Sequence, residues 1–106
     1  MSFRFMRIIV FFDLPVETAR DRKEYRRFRK YLISEGFIMM QESVYSKLAL
    51  NYSVAESIKK RIIANRPLKG IVQSLAITEK QFANIDIIVG SENKKQIDTT
   101  ERMIVL

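Results

Sequence analysis

Asp13 closes a continuous apolar run, Met6-Arg7-Ile8-Ile9-Val10-Phe11-Phe12-Asp13, and is followed by Leu14 and Pro15. A carboxylate carried to the carboxyl end of a buried strand is a candidate ligand for a hard divalent cation and a candidate catalytic group in phosphodiester chemistry. The residue types that are absent sharpen that reading. The chain has no histidine and no cysteine, which removes imidazole bases and ligands, thiolate nucleophiles, disulfides and thiolate zinc sites. Catalysis is left to carboxylates, Lys, Tyr, Ser and Thr, and a metal to oxygen ligands, so the cofactor expected is Mg²⁺ or Mn²⁺. One carboxylate is a poor metal site, but a two-fold axis near Asp13 would supply a second copy. Two unit charges about 4 Å apart repel by roughly 4 kcal/mol at an effective dielectric of 20. A shared cation removes that conflict and polarises a phosphodiester. The plainer role for Asp13 is that of a turn former or an acceptor for backbone amides. Ser43 and Tyr45 are candidates to orient phosphate or water, although strand residues of these types also serve as surface hydrogen-bonders and core packers.

A second group of residues concerns charge. Nineteen Lys and Arg stand against twelve Asp and Glu, a net charge of +7, which suits a polyanionic partner, nucleic acid above all. Between positions 20 and 30 lie Arg20, Arg22, Lys23, Arg26, Arg27, Arg29 and Lys30 with only Asp21 and Glu24 among them, a local charge of +5. Such a run is ordinarily a solvated helix face; here the acids are too few to neutralise it. Arg20, Arg22, Lys23, Arg26, Arg27 and Lys30 are therefore the candidate nucleic-acid contacts, suited to phosphates and not to base edges. Lys59, Lys60, Arg61 and Arg66 form a second, looser basic set.

The elements that must position these residues follow from periodicity and turn chemistry. A first strand over residues 5–12 ends before Pro15, which cannot continue a strand interior. Thr18 with Asp21 predicts a capping box opening a helix over residues 18–35, with Tyr25, Phe28 and Leu32 as its apolar stripe. Gly36 is expected at its C-terminus with positive φ. Residues 37–40 and 43–48 read as strand, either a hairpin turning at Gln41 and Glu42 or one longer bent strand. Ser53 with Glu56 predicts a second capping box, with Val54, Ile58 and Ile62 facing inward on a helix to about Asn65. Residues 70–78 alternate as a strand, 80–84 form a single turn, and 86–89 read as a further strand. Residues 91–102 are polar and expected to be mobile, whereas Met103 to Leu106 is strand-like.

This order predicts an α+β fold of the ferredoxin-like βαββαβ kind: an antiparallel sheet with both helices on one face, plus a C-terminal extra strand. Residues 1–90 are expected to form the domain, and 91–106 a tail whose strand could add to a sheet edge, either in the same chain or in a partner subunit. Apolar residues on both sides of the first strand (Ile8, Val10 and Phe12 against Ile9 and Phe11) predict that both faces are buried, which a sheet-against-sheet homodimer would achieve. No apolar run approaches a membrane span, so no membrane is expected, and the absence of cysteine is compatible with the cytoplasm.

The strand ending Asp13-Leu14-Pro15, the arginine-rich helix, Gln41-Glu42-Ser43-Val44-Tyr45 and the strand over 71–78 together resemble the small CRISPR-associated adaptation protein, the second Cas protein. The longer tail and the Ser-Val-Tyr segment resemble the form that accompanies type II systems. The resemblance implies a ferredoxin-like homodimer in spacer acquisition. It would sit between two dimers of the CRISPR-associated integrase (the first Cas protein) and lie along double-stranded DNA. It also implies metal-dependent endonuclease activity on single-stranded RNA or double-stranded DNA, with Asp13 as the matching catalytic and metal residue. Two roles are therefore open: a DNA-bridging structural subunit, and a metal-dependent phosphodiesterase. A non-catalytic basic RNA-binding domain is the alternative, and it would need exposed aromatics on the sheet for base stacking.

Overall fold

The computed structural model describes residues 5–90. Seven elements follow one another: β1 (Met6–Asp13), α1 (Ala19–Glu35), β2 (Ile38–Gln41), β3 (Val44–Ala49), α2 (Tyr52–Ala64), β4 (Ile71–Thr78) and the short α3 (Glu79–Ala83). The strands form one sheet in the order β2-β3-β1-β4. Every neighbouring pair is antiparallel, so the chain has the ferredoxin-like α+β architecture expected. Asp13 is the last residue of β1 and pairs with Ile71 of β4.

Both long helices lie on one face, and alternation along β1 decides what they cover. Ile8, Val10 and Phe12 point to the helix side, where they join Leu14, Phe28 and Leu32 of the β1–α1 region, Tyr45 and Ala49 of β3, and Ala55, Ile58 and Ile62 of α2 in a single buried cluster. Phe12 is its hub, with ring centroids 5.4 Å from Phe28 edge-on and 5.7 Å from Tyr45 in a stack. Packed rings of this kind add about 0.5–1.5 kcal/mol per pair beyond their buried area.

Local signals placed α1 well. Thr18 caps it, receiving the Asp21 N–H at 3.0 Å, while its own N–H donates to Asp21 Oδ2 at 3.2 Å. Gly36 ends it at φ 107°. Three expectations need correction. The N-cap of α2 is Asn51, whose side chain receives the Val54 N–H at 2.9 Å, so Ser53 lies inside the helix and makes no capping box. Moving the start changes the inward face: Ala55 takes the buried position and Val54 is exposed. Residues 86–89 are not a strand; β4 runs straight into α3 at Thr78, and the apolar segment after α3 lines a depression with Met40 and Gln41 of β2 without pairing with either edge of the sheet. The open choice at residues 37–48 resolves as a hairpin, with a bulge between Met39 and Gln41 and Ser43 at φ 66°. The expected strand over residues 103–106 lies outside the described residues.

The opposite face of the sheet carries no long helix. Ile9 and Ser46 are buried there, but Phe11, Leu48, Ile71 and Leu75 are exposed. Among the described residues α3 packs at its far end, where Arg7 donates twice to Glu79 (3.0 and 2.6 Å) and lies 4.4 Å from the Phe82 ring centroid.

Candidate functional site

Asp13 stands on this uncovered face. Its register partner Ile71 and its alternation with Phe11 put the carboxylate on the side away from the helices, exposed, at the mouth of an open depression of about 310 Å³. Ser43, Val44 and Gln73 line the same depression. Ser43 arrives there through the β2–β3 turn, and its carbonyl receives the Phe12 N–H at 3.1 Å. The structure thus brings Asp13 and Ser43 together. Tyr45 it places on the other side of the sheet: the ring is buried, and its hydroxyl accepts a hydrogen bond from Arg29 Nε at 2.8 Å. Tyr45 packs the core and orients Arg29 and does not reach Asp13 within the chain.

Among the described residues no three of His, Cys, Asp or Glu converge as a metal cluster. Asp13 is the carboxylate that lines the depression, and Ser43 and Gln73, whose side chains carry oxygen, line it too. That all-oxygen set fits Mg²⁺ or Mn²⁺ as part of a coordination shell, and a second copy of Asp13 would complete the charge match.

The basic residues of α1 divide by what they already hold. With Phe28 and Leu32 facing the core, the 100° step of a helix puts Lys23, Arg26 and Lys30 on the face pointing away from the sheet. These three make no hydrogen bond or ion pair among the described residues. Arg20 is exposed at the flank and acts on the Glu24 carboxylate through space. Arg22 donates to the Val16 and Glu17 carbonyls at 3.0 and 3.1 Å, closing the turn that follows Pro15. Arg27 is committed to Glu24 and to the Asn65 and Arg66 carbonyls at 3.3 and 3.2 Å, clipping the end of α2. In the second basic set, Arg61 pairs with Glu35 at 2.6 Å, Lys59 with Glu56 at 3.4 Å, and Arg66 donates to the Ile63 carbonyl. The outward stripe and Asp13 therefore lie on opposite layers of the molecule.

Sequence reasoning passed over two features. Glu35 is a junction: it receives Arg61 Nε and, at 2.9 Å, the Tyr31 hydroxyl, with Lys47 at 3.7 Å. The Arg61 guanidinium chiefly holds the Glu35 carboxyl below its usual range, while burial and then the Glu35 bond push the Tyr31 hydroxyl up to about 12. The other is Gly70, at φ +96°, where a Cβ would lie 2.7 Å from the Asp13 carbonyl oxygen. A glycine immediately before a strand was the only signal for it.

The family is decided by comparison with known proteins. The model of the family described as CRISPR associated protein Cas2 matches residues 6–85. The chain belongs to the Cas2 family. A Treponema denticola protein named CRISPR-associated endoribonuclease Cas2 is 54% identical over 101 residues, which cover 95% of this chain and 100% of that protein. Proteins of the same name from Ligilactobacillus salivarius and Streptococcus mutans are 50% and 46% identical over 101 residues each, again 95% of this chain, with 100% and 93% of their own lengths covered. The matched region spans every element from β1 through α3, so Asp13, Ser43 and the basic helix all lie inside the shared domain. No helix among the described residues is long and apolar enough to cross a membrane.

Proposed function

We propose that this Cas2-family chain works as a homodimer that cleaves phosphodiesters in a metal-dependent reaction and serves as the DNA-bridging subunit of CRISPR spacer acquisition. The reading rests on the placement of Asp13 at the end of a central strand, on the sheet face the helices leave bare, among exposed aliphatic side chains. Apposing that face with its copy in a second chain covers Phe11, Leu48, Ile71 and Leu75 and provides the second carboxylate that one chain lacks. The long edge β4, with Ser74 and Ala76 exposed, is suited to receive the tail strand of the other chain.

Asp13 of each chain would hold Mg²⁺ or Mn²⁺, and Ser43 and Gln73 would orient the phosphate beside it. When bound, the cation supplies charge neutralisation and Lewis-acid polarisation of the scissile phosphate. With no histidine in the chain, general-base chemistry has no imidazole to use, and the Asp13 carboxylate is the group placed to position the attacking water. RNA is the cleavage substrate suggested by the names of the relatives. Double-stranded DNA is the ligand suited to the outward stripe of Lys23, Arg26 and Lys30, which would touch phosphates without reading bases and, doubled by a two-fold axis, would make a positive track suited to a duplex backbone. Phe11 is the one strand aromatic on the open face, among aliphatic neighbours, which favours an apolar interface over a base-stacking platform.

Replacing Asp13 with alanine tests both halves. Metal-dependent cleavage of RNA and DNA is expected to vanish while the dimer and its affinity for the integrase persist. Cleavage that survives Asp13→Ala overturns the enzymatic half. Acquisition of new spacers in cells is expected to persist, and its loss with dimer and integrase binding intact overturns a purely architectural role in acquisition.

A further inference from the structure

The segment joining α2 to β4, residues 65–70, is fastened to one flank of α1 by three side chains spaced three residues apart. Arg27 donates to the Asn65 and Arg66 carbonyls, Glu24 receives the Leu68 N–H at 3.3 Å, and Asp21 pairs with Lys69 at 3.3 Å. Asp21 is buried and is also the partner of Thr18 in the α1 capping box. The segment ends on Gly70, whose α-carbon presses on the chain at Asp13 and Leu14: a Cβ there would stand 2.7 Å from the Asp13 carbonyl oxygen, 2.7 Å from Leu14 Cδ2 and 3.0 Å from Leu14 Cα. On the other side of Asp13, the Phe12 N–H is held by the Ser43 carbonyl. The backbone that carries the carboxylate is thus gripped from both neighbouring strands, and one grip is set by α1.

We infer that residues 65–70, locked to α1 through Lys69 and Asp21 and pressed on Asp13 at Gly70, are a positioning element for the Asp13 carboxylate. The inference rests on the reading of Asp13 as a metal-binding residue. Gly70 acts by steric contact and by a φ that side chains avoid; Lys69 acts at one remove, by holding the segment down. Neither touches the cation. A metal ion held between two carboxylates is sensitive to their aim, so a small shift of this backbone weakens metal binding before it unfolds the domain.

The experiment is a Mn²⁺ titration of the full-chain protein, followed by the loss of the free-Mn²⁺ electron paramagnetic resonance signal, with melting temperature recorded for every variant. Asp13→Asn is the reference and is expected to abolish the binding. Gly70→Ala is expected to raise the Mn²⁺ dissociation constant about tenfold, in line with the strain of an alanine at positive φ. Lys69→Met is expected to raise it about threefold, the scale of one exposed ion pair, and Lys69→Arg to restore it. Should Gly70→Ala fail to fold, the Lys69 pair decides. Parental Mn²⁺ affinity in folded Lys69→Met, with binding lost in Asp13→Asn, overturns the inference alone. Parental affinity in Asp13→Asn overturns the metal-site reading and the inference with it.

Discussion

The two faces of the sheet are made from the same strands and finish in opposite conditions. On the helix side, Phe28 and Leu32 of α1 are 0% exposed over Phe12 and Tyr45. On the other side, Leu75 is 50% and Ile71 59% exposed, although the strands are as apolar there as on the covered side. A single antiparallel sheet commonly has one wetted face, which then alternates to polar residues. This one is mostly apolar, with Arg7, Asp13, Ser46 and Gln73 among its polar strand residues. The difference teaches that the covered face is a matter of the chain's own stability, whereas the bare face keeps its apolar side chains in solvent and carries Asp13 among them, the arrangement on which the proposed dimer rests.

The contrast breaks first if the covered face can be damaged cheaply. Phe28→Ala is expected to cost about 3–5 kcal/mol in urea unfolding, the usual range for emptying a filled core site of a phenyl ring; a loss below about 1 kcal/mol would mean that the core does not depend on this face. Leu75→Asp probes the bare face. Chemical unfolding of the monomer is expected to change by no more than about 0.5 kcal/mol, while the dimer, followed by sedimentation, should weaken by roughly 30-fold or more. An unchanged sedimentation profile removes this face from the interface.

A third comparison sets free charges against committed ones on α1. Replacing Lys23, Arg26 and Lys30 with glutamine should leave stability nearly unchanged and lower the slope of log affinity against log salt for duplex DNA by about 2.7, or 0.9 per lost phosphate contact. Arg27→Gln is expected to show the reverse pattern, lower stability with little change in slope, because its donors already serve Asn65 and Arg66. The smallest effect expected is that of pH. Glu35 titrates below its ordinary value of 4.5 when folded, and Glu24 and Glu79 behave alike, held down chiefly by Arg27 and Arg7. Just under that value the unfolded chain takes up protons that the folded one refuses, so stability falls as pH drops through the folded-state values. Tyr31, raised to about 12, runs the other way: its contribution is complete below 10 and fades as pH rises toward 12. Glu35→Gln should flatten the acid limb of a urea-midpoint profile, and an unaltered limb would show that this junction contributes nothing.

What was legible in the sequence was whatever contacts its own neighbourhood. Thr18 and Asp21 are three residues apart, and their reciprocal bonds need only one helical turn to form; Gly36 ends the helix for an equally local reason. The βαββαβ order and Asp13 at the end of a strand followed from alternation and from Pro15. The start of α2 was misplaced because Ser53 and Asn51 are both able caps, and packing of Ala55, Ile58 and Ile62 on the sheet selects between them. Residues 86–89 have strand composition, yet a strand exists only where its backbone pairs, and after α3 this segment pairs with neither edge of the sheet.

The site divides along the same line. Residue types alone restricted its chemistry to oxygen ligands, since the chain holds no imidazole and no thiolate, and placed an acid at the carboxyl end of a strand. Which face that acid occupies, that Ser43 joins it while Tyr45 does not, that Arg27 is already spent on α2, and that Gly70 bears on the Asp13 backbone were decided only in three dimensions. Each of these depends on residues far apart in the chain meeting in the fold; for Asp13 and Tyr45 the strand register decides, since a one-residue change of register would send a strand's side chains to the other face.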